Sequence, residues 1–129
     1  MKSHQCPARK ISKMTLVMKP WGHEEIWAHT DDYVGKILVI KPDQRLSRQY
    51  HVVKDETIYV LQGVLTLEIG SDKDIEVMKL KRGDTFHVTP ETVHRFCNLG
   101  TENLHLIEVS TPELADVVRI EDDYGRGHA

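Results

Sequence analysis

The chain is poor in cysteine. Cys6 and Cys97 are the only two in 129 residues, too few for a disulfide framework. A reduced, cytoplasmic setting is therefore expected. Long hydrophobic runs are also missing. No apolar stretch approaches the roughly 18 residues needed to span a membrane. The opening Met1-Lys2-Ser3-His4-Gln5-Cys6 lacks the apolar run of a secretory signal. No membrane partner is expected. Charge of one sign is not in excess either: a net charge of −3 offers no electrostatic footprint for nucleic acid or an anionic lipid surface. There is no solenoid-type repeat, low-complexity tract or linker. These absences leave one globular domain. Hydrophobic content of 40% and charged content of 29% are ordinary for one, and the length suffices for a real core.

What is present is a succession of short apolar runs separated by turn signals. Residues 1–15 are polar and basic without pattern and read as a flexible N-terminal arm, with the domain over 16–129. Strands are predicted over Lys36–Lys41, ended by Pro42-Asp43, and over Thr57–Gln62, ended by Gly63. Further strands are predicted over Val64–Ile69, Ile75–Leu80, Thr85–Thr89, Val93–Cys97 and Leu104–Ser110. Spacings of roughly 8–12 residues between turns indicate an all-β sandwich or barrel. Pro112–Val118 could hold one helical turn.

Four side chains have metal-ligand chemistry at credible spacing. Gln49 and His51 lie two residues apart and share a face of a strand. Glu56 follows a short turn-like stretch, and His94 lies in a second unit running from Gly83-Asp84 to Asn98. A Q-x-H-x4-E-x6-G unit followed by G-x10-H-x3-N is hard to explain by strand packing alone. Two imidazoles suit zinc, iron, nickel, cobalt and manganese, while the carboxylate and amide oxygens favour harder metals. The absence of cysteine argues against a closed structural zinc site.

The two units resemble the two cupin motifs, the first spanning Gln44 to Gly63 and the second Gly83 to Asn98. The flanks narrow the resemblance. Lys19-Pro20-Trp21-Gly22 with Glu25-Ile26-Trp27 resembles the opening of type II mannose-6-phosphate isomerases, often the C-terminal domain of bifunctional mannose-1-phosphate guanylyltransferases. Val118-Arg119-Ile120 with Asp122-Asp123-Tyr124-Gly125-Arg126 resembles their closing segment. The resemblance covers residues 18–126. It implies a single-domain cupin, a double-stranded β-helix or jelly-roll barrel, here as a stand-alone domain. No phosphate-binding glycine loop is visible, so no nucleotidyltransferase activity is expected.

The resemblance further implies a divalent metal held by Gln49, His51, Glu56 and His94, usually zinc, with manganese, cobalt, nickel or iron as alternatives. It implies aldose–ketose isomerisation of a sugar phosphate, mannose 6-phosphate to fructose 6-phosphate. Arg119 and Glu108 are the candidate catalytic residues. Arg126, Lys54 and Lys36 are the candidate substrate contacts. Arg119 and Arg126 could instead form ion pairs with Glu121, Asp122 or Asp123. Glu108 could be a core-edge carboxylate, and Lys36 an exposed residue at a strand start. Trp21 and Trp27 read as packing residues, His87 and His105 as structural or exposed. Two alternatives of other classes stand beside the isomerase: a non-catalytic cupin that binds a sugar or metabolite, and a metal-dependent dioxygenase or lyase. Unpaired strand edges make a homodimer expected. The chain departs from the family pattern at Asp43 and Glu91, where glycine is customary, at Arg48, where an apolar residue is customary, and at Val52-Val53, where the stretch is more polar.

Overall fold

A computed structural model describes residues 8–11 and 13–126. Eleven strands are found among them: β1 Thr15–Lys19, β2 Gly22–His29, β3 Val34–Ile40, β4 Arg48–Tyr50, β5 Glu56–Gln62, β6 Val64–Ile69, β7 Glu76–Lys81, β8 Thr85–Val88, β9 His94–Cys97, β10 Leu104–Ser110 and β11 Val118–Glu121. A single turn of 3-10 helix, Asp72–Asp74, is the only helical element among the described residues. One sheet runs β1-β2-β3-β10-β5-β8 and the other β11-β4-β9-β6-β7, with every pairing antiparallel. Pro112–Val118 forms no helical turn. It runs as an irregular strap from β10 to β11, held by hydrogen bonds to the stretch between β4 and β5.

Alternation along the central strands builds the interior. On β10, Leu104, Leu106, Glu108 and Ser110 point inward; on β5, Glu56, Ile58 and Val60 do. The first part of β10 and the last part of β5 therefore supply aliphatic side chains. They pack with Trp21, Leu38, Ile40, Leu65, Leu67 and Phe96 into the core. At the other end, register sets Lys36 of β3 opposite Glu108 and Glu56 of β5 opposite Ser110. The barrel is thus apolar at one end and polar at the other, and the polar end carries the site.

Tight turns place the flanks. A Cβ on Gly22 would lie 1.9 Å from the Val39 carbonyl oxygen, so only glycine lets β2 approach β3 there. Lys41-Pro42-Asp43-Gln44 and Thr89-Pro90-Glu91-Thr92 each close with a backbone hydrogen bond from the fourth residue to the first. Each has proline second and a positive φ third, +62° at Asp43 and +68° at Glu91, the type II pattern. The customary glycines are absent at both positions, but the backbone conformation that favours glycine is kept.

Candidate metal centre

Three strand ends bring the ligating atoms together. His51 follows β4, Glu56 opens β5 and His94 opens β9. Gln49 pairs with His94 across β4 and β9. His51, Glu56 and His94 are all buried, and one donor atom from each lies within 4.8 Å of the others. The two imidazole rings are 5.3 Å apart between centroids.

The backbone decides which ring nitrogens face the centre. His51 Nδ1 donates to the Asp116 carbonyl oxygen at 2.6 Å, and His94 Nδ1 donates to the Thr92 carbonyl oxygen at 2.8 Å. A carbonyl can only accept, so each Nδ1 carries the proton and each neutral ring keeps its lone pair on Nε2. His51 Nε2 lies 3.0 Å and His94 Nε2 3.5 Å from the same oxygen, Glu56 Oε1. His94 Nε2 is buried with no hydrogen-bond partner. Lone pairs converging on one carboxylate oxygen need a cation or a proton between them. Two rings locked through Nδ1 with Nε2 converging is the arrangement that second-sphere carbonyls give to metal-binding histidines. The donor set therefore fits a divalent ion, and its nitrogen and oxygen chemistry suits zinc and its transition-metal neighbours.

Behind this group lies a buried charge chain. Lys54 Nζ is 3.5 Å from Glu56 and 3.0 Å from Glu108, and Lys36 Nζ is 3.6 Å from Glu108 and 3.3 Å from Glu24. Burial alone would raise the Glu56 carboxyl, but protons on the Nε2 atoms of His51 and His94, in the place an ion would otherwise take, and the charge of Lys54 hold it well below the usual carboxylate range. Burial and the neighbouring Glu56 carboxylate push Glu108 up to about 7. Burial would lower the Lys54 ammonium, but Glu108 and Glu56 outweigh it and raise it. Glu56 is thus the ionised member of the pair, and Glu108 is the one able to take a proton near neutrality.

A cavity of about 260 Å³ opens on this end of the barrel. Gln49, His51, Lys36 and Lys54 form its inner wall, with Trp21 beside them. Lys19 of β1 and Arg119 of β11 reach it from its two sides, and Arg126 lines it as well. Five cationic side chains line this space, and Glu24 is the only carboxylate among the lining residues. Arg119 has no ion pair among the described residues, and its buried Nε lacks a partner. Arg126 is held in a fork by Asp122, with both contacts at 2.9 Å. That pairing pulls Asp122 down to about 2.

The sequence-based candidates fall into place unevenly. His51, Glu56 and His94 converge; of these only His51 lines the cavity, together with Gln49, whose Oε1 accepts a hydrogen bond from Ser47 at 2.6 Å. Lys36 is buried inside β3 rather than exposed at a strand start, because strand pairing begins two residues earlier at Val34. Glu108 stands behind the two lysines and does not line the cavity. Trp21 is a core residue at the cavity edge, whereas Trp27 lies half-exposed over Gly35. His87 is exposed and paired with Asp55. Arg48 is buried and bridges Glu68 and Glu121. Sequence reasoning missed Lys19, Glu24 and Asp116. Lys19 shares its strand parity with Val17, which also lines the cavity, but β1 carries too little alternation to be seen as a strand. Asp116 was hidden in the segment read as a helical turn.

Two antiparallel sheets closed over a His-Glu-His cluster at one end define a cupin. A double-stranded β-helix protein from Klebsiella pneumoniae superposes with a TM-score of 0.66 at 22% identity, covering 89% of this chain and 90% of that one. A sugar phosphate isomerase of the cupin superfamily from Silicibacter pomeroyi superposes at 0.61 with 19% identity, covering 69% and 58%. Residues 8–122 match the family described as mannose-6-phosphate isomerase C-terminal, and the chain belongs to that family. The mannose-1-phosphate guanylyltransferase ManC of Salmonella typhimurium is 34% identical over 113 residues, 85% of this chain and 23% of that protein. The chain spans about a quarter of the length of such relatives. No helix among the described residues is long and apolar enough to cross a membrane.

Proposed function

We propose that this cupin is a metal-dependent aldose–ketose isomerase of a sugar phosphate, with mannose 6-phosphate and fructose 6-phosphate as the pair to test first. The observation that carries the reading is one cavity lined both by His51 and Gln49, at the mouth of the proposed donor set, and by an excess of cationic side chains. His51, Glu56 and His94, with Gln49 beside them, would hold the ion, zinc foremost. Such an ion supplies Lewis acidity, favouring negative charge on the substrate's carbonyl and neighbouring hydroxyl oxygens.

The chain's own groups account for the remaining requirements. Arg119, free of an acidic partner, and Lys19 suit the phosphate, and Arg126 supports them from its fork on Asp122. Isomerisation moves a proton between adjacent carbons, so a group must hold it in transit. Lys54 Nζ stands on the cavity wall 3.0 Å from Glu108, and to take up that proton the Lys54 ammonium would first pass one of its own to Glu108, whose carboxyl lies near 7. Lys36 shares Glu108 and orients it from the other side. Trp21 and Leu46 limit water at the inner wall. A homodimer belongs to the same proposal and is checked by light scattering.

The test is a coupled assay on purified protein. Conversion of mannose 6-phosphate should stop with chelator and return with added zinc or manganese. Substitution of His51, Glu56 or His94 by alanine should remove both bound metal and turnover. Metal-loaded protein that binds phosphosugars yet converts none of a panel of them would overturn the isomerase reading in favour of a binding cupin.

A further inference from the structure

Asp116 touches the site twice, through two different groups. Its carbonyl oxygen accepts the Nδ1 hydrogen of His51 at 2.6 Å. Its carboxylate accepts the backbone N–H groups of Val52, Val53 and Lys54 at 3.1, 2.7 and 2.8 Å. The next N–H, that of Asp55, donates to Thr111 Oγ1 at 3.0 Å. Every backbone donor between His51 and Glu56 is therefore spent on a side chain of the strap.

Apolar packing does little to hold that linker, whose side-chain ties are the Lys54 contacts to Glu56 and Glu108 and the exposed Asp55–His87 pair. Val52 and Val53 are 50% and 61% exposed, so their apolar groups anchor nothing. The linker nevertheless sets the distance between two of the converging donors and carries Lys54 onto the cavity wall. We propose that Asp116 is a positioning residue of the metal centre: it selects the His51 tautomer that presents Nε2 and fixes the 52–55 turn that spaces His51 from Glu56. Asp116 binds neither substrate nor metal in this role. It works through His51 and Lys54, and because the strap continues into β11 it ties the Arg119 wall to the ion's position. The proposal rests on the reading that His51, Glu56 and His94 take up a divalent ion, and one arm of its test is independent of that reading.

Asp116→Ala, Asp116→Asn and the wild type are compared in three measurements, with circular dichroism as the folding control. Imidazole 15N shifts of metal-free protein in mildly alkaline buffer report the His51 tautomer. The wild type should show the Nδ1-protonated form; Asp116→Ala keeps the main-chain carbonyl but loses the carboxylate that holds the strap against the 52–54 backbone, so that carbonyl is no longer fixed against Nδ1 and a mixture is expected. Competition against a chromophoric chelator reports zinc affinity, expected to fall about 10- to 100-fold in Asp116→Ala and less in Asp116→Asn, which keeps one acceptor oxygen. The Co2+ absorption spectrum should change in shape as well as in midpoint. A folded Asp116→Ala with the wild-type tautomer, affinity and spectrum overturns the proposal, even if its melting temperature falls. Should Asp116→Ala not fold, the same outcome in Asp116→Asn overturns it. A wild type that takes up no metal defeats the metal reading instead, and the tautomer comparison then decides the role of Asp116 alone.

Discussion

Glu91 holds a backbone conformation that L-residues avoid, at roughly 1–2 kcal/mol. Its φ is +68°, its side chain is exposed, and its N–H donates to the His51 carbonyl at 2.6 Å. Glycine would relieve the clash and give back part of the gain through a more flexible unfolded chain, by about 0.4–1 kcal/mol. Glu91→Gly should therefore stabilise the protein by about 0.5–1 kcal/mol in urea unfolding, with the m-value unchanged. Asp43→Gly should gain less, since aspartate tolerates this region better than glutamate. A loss of stability in Glu91→Gly would show that the glutamate side chain contributes something the turn geometry does not. These two positions were readable as turns because proline precedes each. The ligand spacing was readable for a related reason: it is local, set by strand parity and a short linker. The tautomers of His51 and His94 were not readable, because their carbonyl partners depend on where the chain folds back.

Among the elements, β11 depends on charge more than on packing. Its inward contribution is small; Arg48 of β4 holds Glu121 at its end, and further guanidinium groups hold Asp123 in the turn that follows it. Arg95 is fully buried on β9 and donates to the Leu46 carbonyl and to Asp123; Arg45 adds a two-pronged contact to the same carboxylate at 2.6 and 3.0 Å. Asp123→Ala would leave the buried Arg95 with the Leu46 carbonyl and, as its one remaining carboxylate, Glu121 at 3.8 Å. The expected cost is about 1–3 kcal/mol, read as a lower midpoint in thermal unfolding. The turn after β11 has its own acid limit. Asp122 falls from the ordinary 3.8 to about 2 through the Arg126 hydrogen bonds. A depressed carboxylate stabilises fully above its unfolded value and loses that contribution as pH falls through its folded one. The stability difference between wild type and Asp122→Asn should stay constant from neutrality to about pH 4 and vanish toward pH 2. Acid melts of both proteins check this.

The same contrast governs which strands could be recognised. β6 and β10 coincide with the predicted runs, because their alternation faces a full core. β2, with His23, Glu24 and Glu25 in succession, has polar residues on both faces, and β4 is three residues long. Such strands exist because neighbours pair with them. The strap defied its helical reading for a similar reason: the Asp116 carbonyl and carboxylate are engaged by the 51–54 segment, and the strap's own backbone bonds, Leu114 to Pro112, Asp116 to Glu113 and Val117 to Ala115, reach back two or three residues rather than a helix's four.

For the whole molecule, the polar end of the barrel concentrates buried charge where apolar packing would stabilise more, so an ion in the proposed centre would support folding there. Zinc at 100 times its dissociation constant should add about 2.7 kcal/mol to stability. Thermal unfolding should shift upward with metal and return to the starting midpoint with chelator; an unchanged midpoint at saturating zinc would contradict this coupling. The all-β architecture was legible from turn spacing, and the cupin class from two motifs. The division of the interior into an oily end and a charged end was not, because it arises from the cross-strand register of β3, β10 and β5.

That register also has a kinetic side. β3 pairs with β10, joining Ile40 to Leu104 and Val34 to Ser110, and the converging ligands His51, Glu56 and His94 all lie inside the loop this closes. Closing so long a loop is slow relative to local hairpin formation. The β6–β7 hairpin can form early and carries none of these ligands. If the proposed centre takes up its ion, capture would therefore belong to the late part of folding, and newly made chains should pass through a metal-blind interval during which a chelating competitor has nothing to displace.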